Sequence, residues 1–264
     1  PAKFKYTPKK NNHLLSVNNV SISYGDRRSR FQAVNNVSLK LAKGEILGLV
    51  GESGCGKTTL SQSIVKLINI DRGEIQLGEQ SLHKLNTSEL KKARKNVQMI
   101  FQDPYASLNP RMTVFNTLAE PLKIHRLAES SEIKEKVLSL MTDVGLDPSW
   151  ANKYPHEFSG GQRQRIAIAR ALAVEPHLII ADEPVSALDV TIQAQVLELL
   201  LTLCQQRQLT MIFISHDLAV VRYIADRTAV MNQGKIVELN ETETLYQEPA
   251  HSYTQKLLSA KLSR

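Results

Sequence analysis

EILGLVGESGCGKTT, residues Glu45 to Thr59, decides how the rest of this 264-residue chain is read. ILGLV is a continuous apolar run closed by Gly51, which is the pattern of a strand buried on both faces of a parallel sheet. GESGCGKT then satisfies G-x-x-x-x-G-K-[ST] between a strand and a helix, the context that gives the motif meaning. Gly51, Gly54 and Gly56, with Glu52, Ser53 and Cys55 between them, let the backbone wrap phosphate groups. Lys57 reaches the outer phosphate oxygens, and the Thr58 hydroxyl, followed by Thr59, ligates Mg²⁺. Helix amides and Lys57 are expected to favour the thiolate of Cys55.

Outward from this loop the pattern alternates. LLSVNNVSISY and VNNVSLKL, between Leu14 and Leu41, read as antiparallel strands. Lys57 to Ile68 reads as a helix, GEIQLG and VQMIFQ as strands, and Asp103 to Glu157 as mainly helical. A helix from FSGGQ to about Val174 precedes strand LIIAD, helix VTIQAQVLELLLTLC, strand TMIFIS and helix LAVVRYIAD. Such alternation predicts an α/β fold with a mostly parallel sheet flanked by helices. AVMNQGKIVEL predicts a hairpin around Asn232 to Gly234.

Four further stretches carry chemistry. FSGGQRQR places Ser159, Gly160, Gly161 and Gln162 at a helix start, a second set of amides suited to an anion. LIIADEP ends a buried strand in two acids, which is costly unless they have partners. Asp182 is suited to hold Mg²⁺ and Glu183 to orient or deprotonate a water; the alternative is a pair of acids that merely cap a strand. His216 closes strand TMIFIS and Gln102 closes VQMIFQ. Both are read as lying near the γ-phosphate, Gln102 as a further metal or water ligand, although a strand-end histidine is more often structural. Tyr24 either stacks on adenine or is an ordinary strand tyrosine.

Composition narrows the classes. Lys and Arg number 33 against 26 acids, a net charge of +7. That balance suits nucleic acid, a membrane surface or an anionic ligand without choosing among them. The start, PAKFKYTPKK, reads as a flexible basic tail over residues 1–12. Two cysteines, Cys55 and Cys204, imply a reducing compartment and no structural disulfide. No signal peptide is visible. No apolar run approaches the ~20 residues that span a bilayer; the longest, VLELLLTLC, contains Glu198. A membrane role therefore requires other chains.

The phosphate loop, Gln102, FSGGQ, LIIADEP, SALD and His216 come in an order and spacing that resemble the ATP-binding subunits of ABC transporters, over residues 13 to 260. FQDPYASLNPRMTV, YPHEFSGGQRQRIAIARALAVEP, DEPVSALDVTIQAQV and EPAHSYTQKLL are similar to the oligopeptide, dipeptide and nickel importer group, particularly its second ATPase subunit. Ser252 departs from the group's usual proline. Cys55 stands where serine is common. The cysteine cluster that many relatives carry for an iron–sulfur centre is missing from this sequence, so no such centre is expected.

The resemblance implies a P-loop ATPase core, an N-terminal antiparallel β subdomain, a helical subdomain at about 103–174 and a C-terminal extension at about 240–264. It implies ATP and Mg²⁺ as ligands, with Thr58, Gln102 and Asp182 on the metal. It implies a head-to-tail pair of ATPase subunits in which Ser159, Gly161 and Gln162, with Gly160 in the same nucleotide-binding set, touch the partner's γ-phosphate and Asp189, in SALD, crosses the same interface. Glu183, Gln102 and His216 are the implied catalytic set. Two permease subunits and, indirectly, a solute-binding protein are the implied partners, at the cytoplasmic face of the cell membrane. Peptide is the favoured solute, with nickel or an antimicrobial peptide as alternatives. An ABC ATPase acting on nucleic acid or the ribosome is disfavoured, because no zinc module or coiled-coil insertion lies between the loop and FSGGQ.

Overall fold

The computed structural model describes residues 13–26 and 29–262, so the basic start and Arg27 and Arg28 of the GDRRSR loop lie outside the described residues. The chain opens with β1 (His13–Tyr24), β2 (Phe31–Ala42), β3 (Ile46–Val50) and α1 (Lys57–Ile64). Next come β4 (Arg72–Leu77), β5 (Gln80–Ser81), α2 (Thr87–Ala93), β6 (Val97–Ile100) and three helices, α3 (Pro104–Ser107), α4 (Val114–Ile124) and α5 (Ile133–Asp143). Then follow α6 (Gly160–Leu172), β7 (Leu178–Asp182), α7 (Val190–Arg207), β8 (Thr210–Ile214) and α8 (Leu218–Ile224). The chain closes with β9 (Arg227–Asn232), β10 (Lys235–Glu241), α9 (Thr242–Gln247) and α10 (Ser252–Leu262). It divides into two compact units, residues 1–91 with 204–264, and residues 92–203.

In the first unit β1 lies antiparallel between β2 and β4. Leu15, Val17, Val20 and Ile22 of β1 are buried, and the alternation skips a step at Asn18–Asn19. Asn19 and Asn36 both take positive φ, 50° and 53°, a conformation asparagine tolerates better than most side chains. Their amides are satisfied by Ser38 Oγ at 2.9 Å and Ser21 Oγ at 3.0 Å. The two VNNV repeats therefore make paired irregularities that keep the apolar residues on one face.

Also in this unit, β3 is buried throughout and runs parallel to β8 and β9, with Leu47 opposite Ile212 and Leu49 opposite Ala229. β10 returns antiparallel to β9 through Gln233 and Gly234, at φ 46° and 78°. Two successive positive φ values suit a two-residue hairpin turn.

The second unit pairs β6 and β7 in parallel, Met99 opposite Ile180. Its helices α4, α5 and α6 pack together, and Leu118, Leu122, Val137, Met141 and Ile166 on them are buried. Trp150 meets Phe158 edge-on at 5.9 Å, just ahead of FSGGQ. The helical stretch predicted from Asp103 to Glu157 is seen as α3, α4, α5 and two 3₁₀ turns, Pro148–Asn152 and Pro155–Glu157. The helix predicted over 57–68 stops at Ile64, because Lys66 turns to φ 57° and its ammonium donates to the His83 carbonyl at 2.8 Å.

Candidate functional site

In the first unit the phosphate loop leaves β3 at Val50 and enters α1 at Lys57. Gly54 and Gly56 hold φ 80° and 108°, which side chains rarely adopt. A Cβ on Gly56 would run into the Ala33 carbonyl oxygen, and one on Gly51 into that of Met231. Gly56 is the N-cap of α1 and offers no side-chain acceptor, so the first amides of the helix are left for another acceptor. Lys57 is 6% exposed, and its ammonium donates to the carbonyls of Gly51 at 2.9 Å and Glu52 at 3.0 Å. Ser53, Gly54 and Thr58 are exposed, and Thr59 is half-buried.

The loop is fastened from outside as well. The Gly234 amide donates to the Cys55 carbonyl at 2.9 Å, and the Asn35 amide donates to the Gly234 carbonyl at 2.8 Å. The Glu52 amide donates to the hydroxyl of Tyr253, in α10, at 3.3 Å. Cys55 Sγ lies 3.7 Å from the Lys57 ammonium. Burial nevertheless raises the Cys55 thiol above its usual range, outweighing the attraction of Lys57. The expected thiolate is thus corrected: the electropositive neighbour is present, but the sulfur is 6% exposed and desolvation dominates.

Strand register places the other candidates. Leu49 of β3 is opposite Ile214 of β8, so Gly51 and His216 each stand two residues beyond that pair, at the carboxyl ends of parallel strands. His216 is exposed there, and Asp217 caps α8 through bonds from the Ala219 and Val220 amides. In the second unit Ile100 is opposite Ala181, so Gln102 and Glu183 likewise stand two residues beyond a pair. Asp182, the last residue of β7, is 8% exposed. Glu183 takes φ 48°, a strained value for a side chain of its size. Its carbonyl accepts from the Ser186 hydroxyl at 3.1 Å, which anchors the turn. Tyr24, at the end of β1, is 44% exposed and is paired with Phe31.

FSGGQ forms the predicted helix start. Ser159 Oγ accepts from the Gln162 amide at 3.3 Å, and the Gln162 side chain accepts from the Ser159 amide at 3.0 Å. This reciprocal box caps α6. Gly160 lies beside Leu188, and a Cβ on Gly161 would collide with Ile192. FSGGQ and the SALD turn therefore adjoin within one unit. Asp189 caps α7, its carboxylate accepting from the Ile192 amide at 3.0 Å.

Sequence reasoning missed two residues. Arg163 is buried, and its guanidinium donates to the carbonyls of Pro155 at 2.6 Å and His156 at 3.3 Å, so it sets the approach to FSGGQ. Its signal is the first of three arginines in a helix that otherwise faces a core. Tyr253 is the other, and nothing in HSYT tells which distant backbone group it meets.

The family model described as ABC transporter matches residues 34–186. The chain belongs to the ABC transporter family. Among ABC relatives, the oligopeptide transport ATP-binding protein OppF of Streptococcus mutans is 52% identical over 249 residues, 94% of this chain and 81% of that protein. The oligopeptide transport ATP-binding protein AppF of Bacillus subtilis is 54% identical over 230 residues, 87% of this chain and 70% of that protein. A solved ABC cassette, MJ0796 as a post-hydrolysis dimer bound to ADP and Pi, superposes with a TM-score of 0.78 at 29% identity, covering 86% of this chain and 98% of that one. Among the described residues no helix is long and apolar enough to cross a membrane.

Proposed function

We propose that this ABC transporter chain is the ATP-hydrolysing subunit that energises import of oligopeptides through a membrane permease. The observation that carries the reading is the pair of amide-rich helix starts, Gly51 to Thr59 and Ser159 to Gln162, each built by glycines that admit no Cβ without collision at Gly51, Gly56 and Gly161. Two such starts fit two cassettes packed head to tail, each nucleotide held by the loop of one and the Ser159 helix of the other. The names and identity of the OppF and AppF relatives support peptide as the solute.

The residues divide the work. Tyr24 stacks on the base, and Gly51 to Thr59 wrap the phosphates with Lys57 on the outer oxygens. The donors Thr58 hydroxyl, Asp182 carboxylate and Gln102 amide are hard oxygens, which suits Mg²⁺ shared with nucleotide phosphates. Bound there, the metal would neutralise phosphate charge. Glu183, directly after β7, orients and deprotonates the attacking water. His216 senses the γ-phosphate. Ser159, Gly160, Gly161 and Gln162 act on the nucleotide of the partner, alongside Asp189. The helical region from Asp103 to Glu157 passes the dimer's motion to two permease subunits at the cytoplasmic face of the membrane, supplied by a solute-binding protein. No nucleic acid takes part.

The test joins the chain with its permease in proteoliposomes. ATP-driven uptake of a labelled oligopeptide is expected, and Glu183→Gln should keep ATP binding while lowering hydrolysis and uptake by roughly 10²–10⁴-fold. Parental hydrolysis by Glu183→Gln, or Ni²⁺ carried in place of peptide, overturns the corresponding part of the reading.

A further inference from the structure

Glu52 is where several bonds of the phosphate loop meet. Its carbonyl accepts from the Lys57 ammonium at 3.0 Å and from the Cys55 amide at 3.3 Å. Its amide is held by a residue 201 positions later, Tyr253. The loop has three glycines at positive φ and so has much freedom to lose on binding a ligand. A fixed contact at its entrance reduces that loss.

Tyr253 is itself held firmly. Its amide donates to His251 Nδ1 at 3.1 Å. The amides of Ala250 and His251 donate to the two carboxylate oxygens of Glu238, in β10, at 2.9 Å and 3.0 Å. Leu257 and Leu258 anchor α10 by burial. A continuous series of bonds thus runs from Glu238 through the 250–253 turn to the loop. Burial raises the phenol further above neutral pH, the bond to Glu52 only partly opposing this, so the hydroxyl stays protonated.

We propose that Tyr253 is a positioning residue for nucleotide binding: its hydroxyl holds the Glu52 amide and thereby sets the Gly51–Glu52 peptide, whose Gly51 carbonyl also accepts from Lys57, at 2.9 Å. This rests on the reading of Gly51 to Thr59 as the nucleotide site. Tyr253 acts through Glu52 and does not need to touch the nucleotide. The segment after β10 therefore tunes affinity from outside the motifs that bind phosphate.

The experiment compares the full chain with Tyr253→Phe, which removes one oxygen and keeps the ring. Mg-ATP binding is titrated calorimetrically, and steady-state hydrolysis is measured beside it. Loss of one hydrogen bond predicts a Kd about three- to tenfold higher. KM should rise by a similar factor with kcat little changed, as for binding lost equally in ground and transition states. The melting temperature without nucleotide should stay near the parental value. Glu238→Ala should also weaken Mg-ATP binding, and in the double variant the two effects should be less than additive. Affinity of Tyr253→Phe that is unchanged or tighter overturns the proposal, as does full additivity. Parental protein and Lys57→Ala that both fail to bind Mg-ATP would overturn the nucleotide site itself, a result distinct from parental binding that Tyr253→Phe leaves intact.

Discussion

Cys55 shows how two familiar influences compete on one side chain. A lysine ammonium 3.7 Å away draws out a thiolate, while enclosure between Gly51 and Lys57 opposes any charge. Burial is the stronger influence and raises the thiol above its ordinary value of 9.0. Alkylation by iodoacetamide should therefore be slower at pH 8 than for an exposed thiol and should climb only as pH passes above 9. A rate at pH 8 matching that of a small free thiol contradicts this. Cys55→Ser should bind ATP within about threefold of the parent, since a hydroxyl is smaller and needs no charge there. The loop glycines and Lys57 were readable because their spacing is local. The desolvation of Cys55 and the bond from Glu52 to Tyr253 were not, because both depend on residues far along the chain. The left-handed backbone of Glu183 was equally hidden, since a glutamate gives no sign of it.

Elements with local punctuation were legible. ILGLV, LIIAD and TMIFI appear as buried strands, and Gln233–Gly234 turns as the sequence suggests. The early end of α1 was not legible, because Lys66 at φ 57° stands where a glycine would have announced the stop. The start of α6 was legible as a helix start, and its capping box adds a measurable property. Ser159→Ala removes the acceptor of the Gln162 amide, at a cost of about 1 kcal/mol. Exchange of that amide should accelerate about fivefold, the equivalent of that energy. Unaltered exchange at Gln162 would show that the cap contributes nothing to the helix.

At the scale of the whole molecule the question is which nucleotide the Ser159 helix serves. Ser159→Arg fills that helix start with a bulky cation and leaves Lys57 and its loop untouched. The isolated variant should still bind ATP. In a mixed dimer with an unmodified partner, hydrolysis should fail at the site whose phosphate loop belongs to the partner. Disabling each lysine site in turn separates the two activities. Loss of ATP binding by the isolated, folded variant would mean that FSGGQ acts on its own chain's nucleotide. Family and fold were readable at this scale because the motifs follow one another in a fixed order. The two compact units were not, since 204–264 rejoins 1–91 across the interval that holds FSGGQ.

The hairpin tip at Gly234 carries a consequence for protein engineering. Tips of two-residue hairpins are ordinarily favoured places for a tag, an inserted domain or new chain ends. Here the tip is buried, its amide secures the Cys55 carbonyl, its carbonyl secures the Asn35 amide, and a Cβ would come within 2.9 Å of the Ala33 oxygen. It behaves as an interior joint between the first sheet and the phosphate loop. A reporter spliced between Gln233 and Gly234 would therefore loosen the nucleotide loop, whereas circular permutants need their opening cut elsewhere.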